Sequence, residues 1–150
     1  RSSDTDSEVI AHLVAKHYAG DLAEAVRRSL IELDGTYAIG VMHADHPELL
    51  VGARKDSPLI VGVGKNEAFL ASDATAVIEH TQDVIFLEDG EIAELKRQNV
   101  RLMDIDGKAI VRAPVKVTWS LAQAERGGRA RLGYSVGQPR TFGITARKTF

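Results

Sequence analysis

Through the first thirty-five residues apolar positions return every three or four places, and from Thr36 they return every second place. Thr5-Asp6-Ser7-Glu8 fits a capping box, in which the Thr5 hydroxyl accepts from the Glu8 backbone and the Glu8 carboxylate reaches back to Thr5. A helix is predicted from that point, with Val9, Ile10, Leu13, Val14 and Tyr18 on one face and Gly20 as its stop. Asp21, with Glu24 three residues on, predicts the cap of a second helix. Its inner face is Leu22, Val26, Leu30 and Ile31, and Asp34-Gly35 end it.

The two-residue period predicts strands over 36–43, 49–54, 59–63 and 68–72. In the first of these Tyr37, Ile39 and Val41 face one way while Ala38 and Met42 face the other. A strand apolar on both sides has to be covered on both, which predicts stacked layers and not an open sheet. Asp73 is placed to cap a short helix over 74–79. Val84-Ile85-Phe86-Leu87 and Ile92-Ala93-Glu94-Leu95 flank Asp89-Gly90, the signal of a hairpin, and a second pair over 100–105 and 108–111 turns at Asp106-Gly107. Past Trp119 neither period persists, and glycines at 127, 128, 133, 137 and 143 break the pattern.

A chain of 150 residues, 44% apolar and 27% charged, is long enough for one sizeable core. No run approaches the roughly 18 to 20 apolar residues of a membrane span, and Arg1-Ser2-Ser3-Asp4 has no signal-peptide character, so the expected compartment is the cytoplasm. With no cysteine, these residues can form neither a disulfide, nor a thiolate metal site, nor a cysteine nucleophile. The net charge of −2 gives no reason to expect nucleic acid as a partner. The charge is uneven, however. Residues 125–150 carry six Lys/Arg against Glu125 alone, and the remainder holds 13 basic against 20 acidic residues. A basic tail without regular aromatic interleaving is expected to be an exposed, poorly ordered terminus and not a nucleic-acid arm.

Few residues suggest chemistry. Asp6, in the first turn of the first helix, complements the positive end of the helix dipole and needs no further role on that account. His12 and His17 stand five apart, which splays them around a helix, and no second ligand is at metal-binding spacing. His43, Asp45 and His46 cluster ahead of Pro47 in what reads as an ordinary turn. Ser57 lacks a base to activate it, and Ser57-Pro58 signals a turn. Gly62-Val63-Gly64-Lys65-Asn66 lacks the spacing and the following helix of a phosphate loop and reads as a strand end with a hairpin turn.

Thr5-Asp6-Ser7-Glu8-Val9-Ile10-Ala11-His12-Leu13, Asp34-Gly35-Thr36-Tyr37-Ala38, Ala53-Arg54-Lys55-Asp56-Ser57-Pro58-Leu59, Ala68-Phe69-Leu70-Ala71-Ser72-Asp73 and Phe86-Leu87-Glu88-Asp89-Gly90-Glu91-Ile92-Ala93 occur in that order. Together they resemble the glutaminase domain of the glutamine:fructose-6-phosphate amidotransferases, the glucosamine-6-phosphate synthase family. The likeness runs over about residues 2–119. Parts of it are shared more loosely with amidophosphoribosyltransferase.

The resemblance implies an α+β fold of N-terminal-nucleophile hydrolase type, here a partial four-layer αββα sandwich of antiparallel sheets with a helix pair on one face. It divides the chain into 1–119, the C-terminal part of a class II glutaminase domain, and 120–150, a divergent tail. It implies that Asp6 lines the glutamine pocket and pairs with the substrate's α-ammonium. The family's cysteine nucleophile, carboxylate-binding arginine and oxyanion element precede the segment at hand, so these residues are expected to be inactive alone and no catalytic residue is assigned among them. Glutamine, the missing N-terminal half and a downstream sugar-isomerase domain are the implied partners. No cofactor or metal is implied. Absent neighbouring strands are expected to leave open edges and to promote self-association. A non-catalytic module on the same fold, binding an amino acid or a protein, and a glutaminase fragment of amidophosphoribosyltransferase type are the contrasting possibilities.

Overall fold

The computed structural model describes residues 3–118, 133–136 and 144–147, with side chains described from residue 8 to 118. Two helices, α1 (Ser3–His17) and α2 (Leu22–Ile31), lie on a six-stranded antiparallel sheet, and a five-stranded antiparallel sheet packs beneath it. The strands are β1 (Tyr37–His43), β2 (His46–Lys55), β3 (Ile60–Gly64), β4 (Glu67–Ala71), β5 (Asp83–Phe86), β6 (Ile92–Lys96), β7 (Asn99–Met103), β8 (Ala109–Ile110), β9 (Val115–Lys116), β10 (Gly133–Val136) and β11 (Ile144–Arg147). The first sheet runs β11-β1-β2-β6-β7-β8 and the second β10-β4-β3-β5-β9.

The layering predicted from β1 holds. Tyr37, Ile39 and Val41 pack with Ile10, Val14, Leu22 and Val26 under the helices, while Ala38 and Met42 join Leu50, Leu59, Val61 and Leu70 between the sheets. The outer face of the second sheet is covered by a smaller cluster of Ile60, Phe69, Val77, Ile78 and Val84. The fold is thus a partial αββα sandwich. Among the described residues, a 3-10 turn (Ala74–Ala76) and the turns that follow it stand in place of a full outer helix layer.

Several sequence expectations are corrected. The first helix begins at Ser3 and not at a Thr5 cap, so Thr5 lies inside it. Val9 is 41% and Ile31 61% exposed, and the buried face of α2 takes in Ala23, Ala25 and Ser29 beside Leu22, Val26 and Leu30. The helix expected over 74–79 closes as 3-10 after Asp73 accepts from the Thr75 N–H at 2.8 Å.

The larger correction concerns Asp89-Gly90. Its flanking strands do not pair as a hairpin: β5 joins β3 in the second sheet, and β6 joins β2 in the first. The chain therefore crosses between sheets here, as it does over 56–59 and again over 111–114. These three crossings are tied together. Arg54 donates to the Leu87 carbonyl at 2.8 Å and to Asp89 at 2.6 Å, and the Gly90 N–H donates to the Arg54 carbonyl at 2.9 Å. Arg112 donates through both terminal nitrogens to Glu91, at 2.5 and 2.7 Å, and to the Phe86 carbonyl at 3.2 Å. The second expected pair is a hairpin as predicted, with Leu102 opposite Ile110.

Of the tail over 120–150, residues 133–136 and 144–147 are described, and both are strands. β11 pairs with β1, setting Ile39 opposite Ala146, and β10 pairs with β4, setting Leu70 opposite Tyr134. The rest of the expectation about that tail lies outside the described residues.

Candidate functional site

Asp6 is the fourth residue of α1, so its backbone lies in the first turn, where N–H groups without intrahelical partners favour an anion. Its side chain lies outside the described part of the structure. Ile10 and Val14 are buried against α2 and the first sheet, and α1 also packs across β11.

The far end of α1 is pinned by polar contacts. His17 pairs with Glu32, and Lys16 reaches the same carboxylate at 3.5 Å, which holds Glu32 below the ordinary carboxylate range, chiefly through the His17 hydrogen bond. Tyr18 stacks on His43 with ring centroids 4.4 Å apart, and its hydroxyl bonds His46 Nε2 at 2.8 Å. His43 Nδ1 accepts from the Asp45 N–H at 3.0 Å. The His43-Asp45-His46 group is therefore a turn that docks the end of α1 onto the β1–β2 connection. His12 is exposed, and among the described residues no group of three or more His, Asp or Glu is placed to hold a metal.

The Arg54–Leu59 segment is built as a crossing, not as a nucleophile site. Asp56 has φ of 58°, a left-handed conformation, and directs its N–H at Asp89 at 2.8 Å. That N–H bond, with Arg54 alongside, holds Asp89 below its usual pKa. Ser57 is 2% exposed, which withdraws its hydroxyl from any substrate. Tyr37 is buried beside this segment, and burial, then the Asp89 and Asp56 charges, push its hydroxyl up to about 12. This arginine-carboxylate lacing leaves no local signal in the residue pattern, because its partners lie 21 to 35 residues apart.

Gly62–Asn66 forms the end of β3 and a hairpin turn, with Asn66 at φ of 58°. A cleft of about 230 Å³ opens between that turn and the β6–β7 turn, lined by Val63, Asn66, Lys96, Gln98 and Val100 among others. Gln98 donates to Asn66 across it at 3.0 Å.

Over 126 residues the chain is 44% identical to the glutamine–fructose-6-phosphate aminotransferase (isomerizing) of Caldanaerobacter subterraneus subsp. tengcongensis. It is 48% identical over 126 residues to a protein of the same name from Thermus thermophilus, and 43% identical over 131 residues to that of Fusobacterium nucleatum. The chain belongs to this family. The matched stretches take in 84 to 87% of the chain but only 21 to 22% of each relative, so the chain spans about a fifth of the length of the relatives it matches. No family model matches it. The α+β sandwich with its helix pair agrees with membership of the family. No helix among the described residues is long and apolar enough to cross a membrane.

Proposed function

We propose that this chain is part of the glutamine-hydrolysing domain of an amidotransferase that makes glucosamine 6-phosphate from fructose 6-phosphate and glutamine. The carrying observation is identity of 43 to 48% across more than four fifths of the chain to relatives bearing that activity in their names. Within that reading Asp6 holds the α-ammonium of glutamine. A carboxylate at the opening of a helix is stabilised by the surrounding N–H groups and presents charge to an ammonium in a closed pocket. An ammonium buried there without a partner is strongly disfavoured, which discriminates the amino acid from a neutral amide.

The 150 residues contain no thiol, so the attack on the amide is made by a group elsewhere in the protein, and these residues alone release no glutamate. Residues 1–119 are the glutaminase part and 120–150 a divergent tail, of which β10 and β11 pair with β4 and β1. The partners are glutamine, the remainder of the glutaminase domain and a sugar-isomerase domain that receives the ammonia, and the setting is the cytoplasm. Self-association belongs to the same reading only where the β1 and β4 edges lie uncovered.

The test is Asp6→Ala in an intact protein carrying this segment, with glutamate release as readout. Loss of the ion pair removes about 2 to 4 kcal/mol, a fall in kcat/KM of roughly 30- to 900-fold. Unchanged turnover would remove Asp6 from the pocket.

A further inference from the structure

We propose that β10 and β11, residues 133–136 and 144–147, act as an intramolecular strap that blocks pairing of the β4 and β1 edges with a second copy of the chain. Apart from the strap, these are the long exposed-edge candidates among the described strands. β1 has seven residues and β4 five, whereas the opposite edges of the two sheets, β8 and β9, have two each and offer little backbone to a partner.

The sequences of the two long edges are those of interior strands. Ala38-Ile39-Gly40-Val41-Met42 and Ala68-Phe69-Leu70-Ala71 are apolar without interruption, with neither lysine, proline nor an inward charge to discourage pairing. Ile39 and Val41 pack under the helices while Ala38 packs between the sheets. Phe69 and Ala71 pack on the outer face while Ala68 and Leu70 pack between the sheets. Left open, such edges are templates for another chain.

The strands that cover them have the opposite character. Gly133-Tyr134-Ser135-Val136 and Ile144-Thr145-Ala146-Arg147 alternate apolar with small, polar or charged residues, the pattern of strands suited to an outer position. The register sets Arg147 opposite Ala38 and Thr145 opposite Gly40, so the edge beyond β1 carries a charge and a hydroxyl in place of an uninterrupted apolar run.

The experiment uses the full chain with Ser135→Pro, Thr145→Pro or Ala146→Pro, since a proline in the strap removes a donor and breaks the strand. Both strap positions in β11 are needed because only alternate residues direct their N–H at β1. Light scattering after gel filtration reads the mass, and hydrogen exchange reads the amides of Ala38–Val41 and Ala68–Ala71. The expected result is a monomeric parent with protected edges. The variants form dimers or larger species as concentration rises, and a synthetic peptide spanning 131–148 returns them to monomer. Variants that stay monomeric with exchange unchanged overturn the proposal. So does a variant that associates and is not rescued by the peptide, and so does a parent that is associated while its edge amides exchange freely.

Discussion

Leu70, on β4 of the second sheet, inserts its methyls into the gap left by Gly52 on β2 of the first. A Cβ built on Gly52 would lie 2.7 and 2.9 Å from the two Leu70 δ-carbons, and one on its cross-strand partner Gly40 would lie 3.1 Å from the same side chain. The glycine pair is therefore a socket between the sheets. Gly52→Ala is expected to destabilise the fold by about 1 to 3 kcal/mol through overpacking, measured by urea unfolding. Leu70→Val in the same chain should recover part of that loss. Additive effects of the two substitutions would show that they do not share the contact.

Arg112 secures the third crossing through Glu91, which is 6% exposed. Burial pushes the Glu91 carboxyl up, but the Arg112 hydrogen bonds and the Glu88 N–H outweigh it and leave Glu91 below its usual pKa. Arg112→Ala should cost about 1 to 3 kcal/mol near neutral pH by leaving a buried carboxylate unpaired. The folded pKa is depressed, so the stabilisation is present above the unfolded value and lost as pH falls through the folded one. The gap between parent and variant should then narrow on acidification below about pH 4.5, the usual glutamate value. A gap that does not change with pH would count against the pairing.

Glu24 is held down to about 2 by hydrogen bonds from Arg27, then Arg28. Arg27 also donates to the Ile105 carbonyl at 3.0 Å, which fastens α2 to the β7–β8 connection. By the same sign rule, Glu24 supports the fold above the unfolded value of 4.5 and this support is lost between there and about 2. Glu24→Gln should flatten the acid limb of stability against pH in that window, followed by helical circular dichroism.

Tyr37 gives the opposite limb. Its folded pKa is raised to about 12 from 10.0, so the contribution is complete below the unfolded value and fades as pH climbs through the folded one. The ultraviolet phenolate difference between parent and Tyr37→Phe should titrate near 12, and the substituted chain should lose less stability between pH 10 and 12. A difference signal centred near 10 would place Tyr37 in water.

The elements were largely legible in the residues. Asp21 accepts from the Glu24 N–H at 3.1 Å as the cap predicted, and the alternation over 37–43 located β1 and both layers around it. The family likeness, read from five segments, was legible too. The direct chemistry was not: Asp6 is an ordinary dipole partner by position, and only the likeness assigns it a substrate. Faces were misjudged at Val9 and Ile31, where helical spacing defines a stripe but not its edges.

What the chain alone determined is local: where backbone turns, which segments extend, and which side chains seek cover. Short-range sterics and spacing settle those matters within a few residues. What only the tertiary structure decided is which extended segment meets which. Asp89-Gly90 marks a turn equally well whether its strands pair or part, and they part because β3 and β2 offer each a better neighbour in a different sheet. Likewise the strap strands have no period strong enough to declare themselves. They exist as strands because β1 and β4 supply hydrogen-bond partners brought together from distant parts of the chain.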